Sequence, residues 1–238
     1  MSFLILNSKV RKGATATDLA INVAAYYALE EASGTREDTK GGYDMDVEVN
    51  SVTNTAGIIG NAALGATTAY VYRDNADIAA LFGGATKFSL NFWHNQTGAT
   101  NRSGIFRYSN DRFSIMFLKS GADTNVSINM NGSSVRYAAI SGMGYPATHM
   151  VTIVYDGGGA ADADRLKVYV NAVEKTGGTS IPTSISTGTD NKVYLGDAQG
   201  WKLDGWLDEV SLFLAYALSA ADITRLYNGG AALALADF

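Results

Sequence analysis

Residues 203–230 read LDGWLDEVSLFLAYALSAADITRLYNGG. The stretch reads as a strand, an acidic turn at Asp208 and Glu209, an apolar strand and a short helix before two glycines. The helix is well bounded. Ser219 offers an N-cap hydroxyl, and Asp222 sits in a capping-box position near the positive end of the helix dipole. Ile223, Leu226 and Tyr227 supply the apolar stripe, and Gly229 suits a left-handed C-terminal position. So short a helix is held by packing rather than by propensity. It therefore needs an apolar surface to lie on, which the chain before it must supply.

That chain reads as short strands. VAAYYAL (residues 23–29) is a buried-strand candidate, followed by the turn-rich, carboxylate-rich loop EEASGTREDTKGG. In YDMDVEV, Tyr43, Met45, Val47 and Val49 alternate with Asp44, Asp46 and Glu48, which predicts a strand with one dry and one wet face. TAYVYR is another strand, and DNADIAALFGG holds one helical turn. In FSLNFWH, Phe88, Leu90 and Phe92 share one face and Ser89, Asn91 and Trp93 the other. Strands follow at 105–108, around Phe113 to Phe117 and Val126 to Met130, and at 135–140, 150–155, 166–171 and 192–196. GGGAADAD, with Asp162 and Asp164, lacks the spacing of an EF-hand and reads as a solvated hairpin. Many short strands parted by Gly, Asn, Asp and Ser turns, with two prolines in loops and no repeat at a fixed period, predict an all-β antiparallel sandwich or barrel.

The 238 residues suit one large all-β domain. Residues 1–20 differ in composition and read as an N-terminal arm for docking or oligomerisation, with the domain proper at 21–238. With no cysteine, a thiol nucleophile, a zinc–thiolate site and a disulfide scaffold are excluded. The net charge is -5 and no basic run occurs, so nucleic acid is not an expected partner. The short apolar run near the start precedes its positive charges, the wrong order for a signal peptide, and no stretch approaches a membrane span.

In four places the chain resembles the laminin-G-like, concanavalin A-like lectin superfamily, in its bacterial and phage jelly-roll branch. Residues 27–42 resemble the family's W-x-L-D-E-x-S-G-T opening, with Tyr27 where Trp is usual. FSLNFW (88–93) resembles its F-S-x-S-x-W strand. HMVTIVYD (149–156) with LKVYVN resembles a strand pair ending in N-G, here with Ala172 for the glycine. The closing segment resembles L-D-E-V-R-I-Y-N-R-A-L-S … L-Y-N-G-G, with Phe213, Leu214 and Ala215 in place of Y-N-R. The resemblance implies a jelly-roll sandwich of two curved antiparallel sheets with a short C-terminal helix. It also implies glycan binding on the concave face or loop rim, and a structural calcium ion.

Three sites are weighed on their residues. Calcium takes hard oxygen ligands. Glu31 and Asp38 bracket a Ser-Gly-Thr loop, and Asp208 would meet it if the terminal segments pair; the alternative is that all three carboxylates bond turns and backbone amides. A glycan platform needs exposed aromatic rings and amide partners. Trp201, after a loop glycine, leads, followed by Trp93, Tyr145, Asn95 and Gln96, while Trp206 reads as core. Third, D-M-D-V-E resembles the catalytic strand of sandwich-fold glucanases, with Asp44 and Glu48 as its pair. Residues i and i+4 of a flat strand lie about 13 Å apart, whereas a retaining glycosidase needs its carboxyls about 5–5.5 Å apart. With only His94 and His149, a catalytic triad has little material, and His149 reads as structural.

The expectation is a non-catalytic lectin-like module that binds a host-surface glycan or decorates a particle. It would be a capsid- or tail-attached phage protein on a virion or cell surface, joined to other virion proteins through residues 1–20, and a candidate homo-oligomer. The alternatives are a ligand-free decoration protein and the glucanase-like hydrolase.

Overall fold

The computed structural model describes residues 19–65, 68–97, 100–120, 123–144, 146–175 and 178–238. In chain order these form α1 (Leu19–Asn22), β1 (Val23–Tyr27), β2 (Val47–Val49), β3 (Thr53–Ala56), β4 (Asn61–Gly65), β5 (Tyr70–Asp74) and α2 (Ala76–Ala79). Next come β6 (Lys87–Gln96), β7 (Arg102–Tyr108), β8 (Phe113–Ser120), β9 (Asp123–Met130), β10 (Ser133–Gly144), β11 (Thr148–Asp156) and α3 (Asp162–Arg165). The chain continues with β12 (Leu166–Val170), β13 (Val173–Lys175), β14 (Lys192–Leu195), β15 (Asp197–Ala198), β16 (Trp201–Lys202), β17 (Gly205–Leu214) and α4 (Ala220–Tyr227).

Two antiparallel sheets face each other. One runs β13-β12-β11-β6-β17-β4-β3, with β1 also paired to β17; the other runs β10-β9-β8-β7-β14-β5-β2. Between them Phe88, Leu90 and Phe92 of β6 and Val151, Ile153 and Tyr155 of β11 meet Phe106 and Tyr108 of β7, Phe113, Ile115 and Phe117 of β8, and Val126 and Ile128 of β9. Period-two alternation supplies this layer directly.

The strand of the segment at 203–230, β17, lies in the interior of its sheet between β6 and β4. β17 pairs with β6 along most of its length, with β4 through Gly205 to Leu207 and with β1 through Val210 to Phe213. The register against β6 shifts between Asp208 and Ser211, where Glu209 takes φ 51°. That is a β-bulge, with two residues opposing one. α4 then covers the outside of the same sheet. Trp93, Met150, Trp206, Phe213, Leu218, Ile223 and Leu226 form a second apolar layer there, with Trp93 stacked on Tyr227 at 5.8 Å. The expected cap is present: Ser219 Oγ accepts from Asp222 N–H at 3.2 Å, and Asp222 Oδ2 accepts from Ser219 N–H at 2.9 Å. At the other end Gly229 is left-handed as expected (φ 64°), and the C-cap before it, Asn228 (φ 46°), is left-handed too.

Two further expectations change. β2 does not carry the predicted wet and dry faces: Glu48 pairs opposite inward-facing Val71, while Val47 and Val49 pair opposite Tyr72 and Tyr70 and are half-buried on the outside. The buried guanidinium of Arg36 supports this arrangement by pairing with Glu48 at 3.4 Å and donating to Val52 O at 2.6 Å. The loop at 157–164 contains a helical turn, α3, in place of a bare hairpin. The Asp162 carboxylate accepts from Ser180 N–H and Ile181 N–H, at 2.7 and 3.1 Å, and so ties this turn to the next loop.

Candidate functional site

The outer face of the seven-stranded sheet carries a cluster of aromatic and cationic side chains. In β5 the sequence Tyr70-Val71-Tyr72 sends Val71 into the core and both tyrosines outward, and the register of β14 sets Tyr194 opposite Tyr72. The three rings lean on one another, with centroids 5.3 Å apart for Tyr72–Tyr194, 6.0 Å for Tyr70–Tyr194 and 6.2 Å for Tyr70–Tyr72. A cation lies over each ring: Arg107 over Tyr194 at 3.7 Å, Lys192 over Tyr72 at 5.4 Å and Lys202 over Tyr70 at 4.4 Å. Lys192 is held above its ordinary pKa, chiefly by the charge Tyr194 takes on when it ionises and then by Asp74. Burial pushes the Tyr194 phenol up, which keeps it protonated.

The small hairpin of β15 and β16 lies across the same face. Gly104 of β7 makes this possible, since a Cβ there would fall inside the backbone of Ala198 and Trp201. Asp197 fastens the hairpin. Its carboxylate is 1 % exposed and pairs with Arg107 on the sheet and with Lys202 on the hairpin, the latter at 3.0 Å. Trp201 is 42 % exposed, and the Arg102 guanidinium sits 4.8 Å over its ring. Such an arrangement presents an indole, cation heads and phenol hydroxyls together, the set that engages a polar ligand with apolar patches.

The other residues anticipated for a glycan do not join Trp201. Trp93 is buried under α4, and its face is spent on Tyr227. The alternation that put it on the opposite face from Phe92 was right, but that face is covered. Asn95 and Gln96, adjacent in β6, point to opposite faces. Asn95 Nδ2 donates to Thr148 Oγ1 at 3.0 Å and Gln96 Nε2 donates to Thr100 O at 3.0 Å. Tyr145 lies outside the described residues, as do residues 1–18 of the arm. Trp206 is core, as expected.

The proposed metal ligands are engaged elsewhere. Asp38 accepts four backbone N–H groups, from Tyr26, Lys40, Gly41 and Tyr43, at 2.8 to 2.9 Å. Glu31 accepts from Glu37 N–H at 2.8 Å. Asp208 accepts from Ile58, Ile59 and Glu209 N–H at 2.7, 3.2 and 2.9 Å. Each carboxylate organises its own turn, and an amide proton and a cation compete for the same lone pair. Among the described residues no three metal-binding side chains gather, so Glu31, Asp38 and Asp208 do not meet at one point. Burial pushes Asp208 and its neighbour Glu209 up to about 7, and Glu209 accepts a hydrogen bond from the Tyr26 hydroxyl.

Asp44 and Glu48 are also committed. Asp44 Oδ1 accepts from Asp38 N–H at 2.7 Å, and Glu48 pairs with Arg36. His94 is buried between the sheets, with Nδ1 donating to Trp206 O at 2.8 Å and its ring stacked on Phe117. Desolvation lowers its pKa to about 4. His149 lies directly across from it on β11 and its Nδ1 is 3.1 Å from Asn171 Nδ2, a structural setting.

Sequence reading missed the tyrosine face, although its signal was available. Tyr70 and Tyr72 share a face by period two, and Tyr194 stands between two core residues, Val193 and Leu195. Neither segment alone reveals that β5 and β14 are neighbours.

Comparison with solved structures supports the architecture. Domain 4 of AbnA, an extracellular arabinanase from Geobacillus stearothermophilus, in complex with arabinotriose, superposes with a TM-score of 0.64 at 19% identity, over 86% of this chain and 97% of that one. A botulinum neurotoxin type C structure, whose cell entry depends on two ganglioside molecules, gives 0.63 at 15% identity, over 89% of this chain and 52% of that one, so this chain spans about half its length. A Trypanosoma rangeli sialidase gives 0.62 at 11% identity, over 98% of this chain and 37% of the sialidase. At these identities the likeness is one of fold. No curated protein matches the sequence. Residues 65–224 match the laminin-G family model described as Concanavalin A-like lectin/glucanases superfamily, and the chain belongs to that superfamily.

Proposed function

We propose that this domain is a non-catalytic glycan-binding module whose ligand face is the outside of the seven-stranded sheet beside the β15–β16 hairpin. The observation that carries the reading is Trp201: a large indole, 42 % exposed, on a hairpin pinned by a buried Asp197. An exposed indole on a rigid mount loses little entropy when a sugar stacks on it. Arabinotriose on the arabinanase domain and gangliosides on the neurotoxin are in keeping with saccharide recognition on this fold. The engagement of Asp44 and Glu48 in turn and ion-pair contacts favours binding over hydrolysis. The setting we propose is a virion or cell surface, with residues 1–20 docking the domain to its carrier or to further copies.

A glycan array probed with the wild type and Trp201→Ala tests this. The expected result is a Trp201-dependent signal on a subset of glycans. Flat, Trp201-independent binding would leave the ligand-free decoration role in its place. Release of reducing sugar from β-glucan that is lost in Glu48→Gln would restore the hydrolase. Imaging intact particles, or crosslinking through residues 1–20, tests the surface setting.

A further inference from the structure

We propose that the outer face of β5 and β14 recognises an anionic group, a carboxylate or a sulfate, on its glycan ligand; this rests on the glycan-binding reading above. A neutral sugar stacks its C–H face on a free aromatic face. The three tyrosines do not offer one, because their rings lean on one another and on the cations of Arg107, Lys192 and Lys202. Tyr194 is itself buried, and the cluster presents the half-buried Tyr70 and Tyr72 with the cation heads instead. No hydrogen bond occupies the hydroxyls of Tyr70, Tyr72 or Tyr194 among the described residues.

The charge count on the face agrees. Arg107 and Lys202 share one carboxylate, Asp197, which leaves one positive charge over on these three groups. Lys192 faces Asp74 at a looser 3.6 Å, its backbone N–H donates to Asp190 at 3.2 Å, and Arg102 stands over Trp201 on the same side, so four cations meet three carboxylates. A positive surplus therefore sits on a chain whose net charge is -5. Charge-assisted hydrogen bonds to carboxylate or sulfate oxygens are the contacts this set makes best. Trp201 then serves the sugar ring, and the tyrosine–cation cluster serves its acidic substituent.

The test uses one polymer in three charge states: dextran, carboxymethyl-dextran and dextran sulfate, with oligothymidylate as a polyanion control. Titrations compare the wild type with Lys192→Gln/Lys202→Gln and with Tyr72→Phe, after circular dichroism and melting establish that each is folded. The wild type is expected to bind at least one charged dextran about tenfold or more tightly than dextran, and which one it prefers assigns carboxylate or sulfate. The double lysine variant is expected to lose about tenfold of the wild type's preference for the charged polymer over dextran. Equal binding of the three dextrans, an unaffected double variant, or oligothymidylate bound as tightly as the best dextran would each overturn the proposal. Trp201-dependent binding without charge preference would overturn it and leave the glycan reading standing. Absence of binding to every polymer and every arrayed glycan would overturn both.

Discussion

Asp38 shows how one side chain can look like a metal ligand and serve as a clamp. Its carboxylate closes the loop between β1 and β2 by taking four amide protons, so its removal leaves several buried donors without acceptors. Asp38→Ala is expected to cost about 3 kcal/mol in urea denaturation, while chelation of divalent ions leaves the melting temperature unchanged. A melting temperature that falls on chelation would return these carboxylates to calcium. Sequence alone left both roles open for Glu31, Asp38 and Asp208, because a carboxylate in a glycine-rich turn serves either with the same spacing. The deciding fact is where the amides point, which depends on folded backbone.

Among the elements, the β15–β16 hairpin depends on its neighbour. It has two residues in each strand, too few to be stable alone, so it borrows its shape from β7 through Gly104 and from Asp197. Gly104→Ala is expected to lift the hairpin, weakening glycan binding and shifting the fluorescence of Trp201, at a cost of about 1–3 kcal/mol from overpacking. Unchanged binding in this variant would detach the hairpin from the ligand face. α4 is a contrasting case, since its start was readable from Ser219 and Asp222 because capping is local chemistry. Ser219→Ala is expected to cost about 1 kcal/mol by thermal melting. What could not be read was what α4 covers. Trp93 has the alternation of an outward residue, and only the docking of α4 turned that outward face into a second core.

At the scale of the whole molecule, buried titratable groups set how stability responds to acid. Asp208 and Glu209 are raised to about 7 in the folded state, so between pH 7 and about 4.5 they bind protons that the unfolded chain does not, and folding gains as pH falls. His94 opposes them: it stays neutral to about 4 when folded, whereas an unfolded histidine charges below about 6.5, so this contribution is lost as pH falls from 6.5 towards 4. Urea midpoints at pH 7, 6 and 5 are expected to rise more steeply in His94→Gln, by about 2 kcal/mol at pH 5, and to flatten in Glu209→Gln. Matching profiles for all three proteins would remove these groups from the account. The sandwich itself was legible from alternation and turn residues, and the strand order was not, because pairing across a sheet leaves no mark in any one segment. That order also makes the fold a matter of timing during synthesis. β17, made after all of its partners, is flanked by strands that begin at residues 23, 61 and 87, so a nascent chain halted before residue 205 exposes the open edges of β1, β4 and β6. Until β17 has emerged, β13-β12-β11-β6 and β4-β3 can pair only as two separate halves, and β1 has no partner.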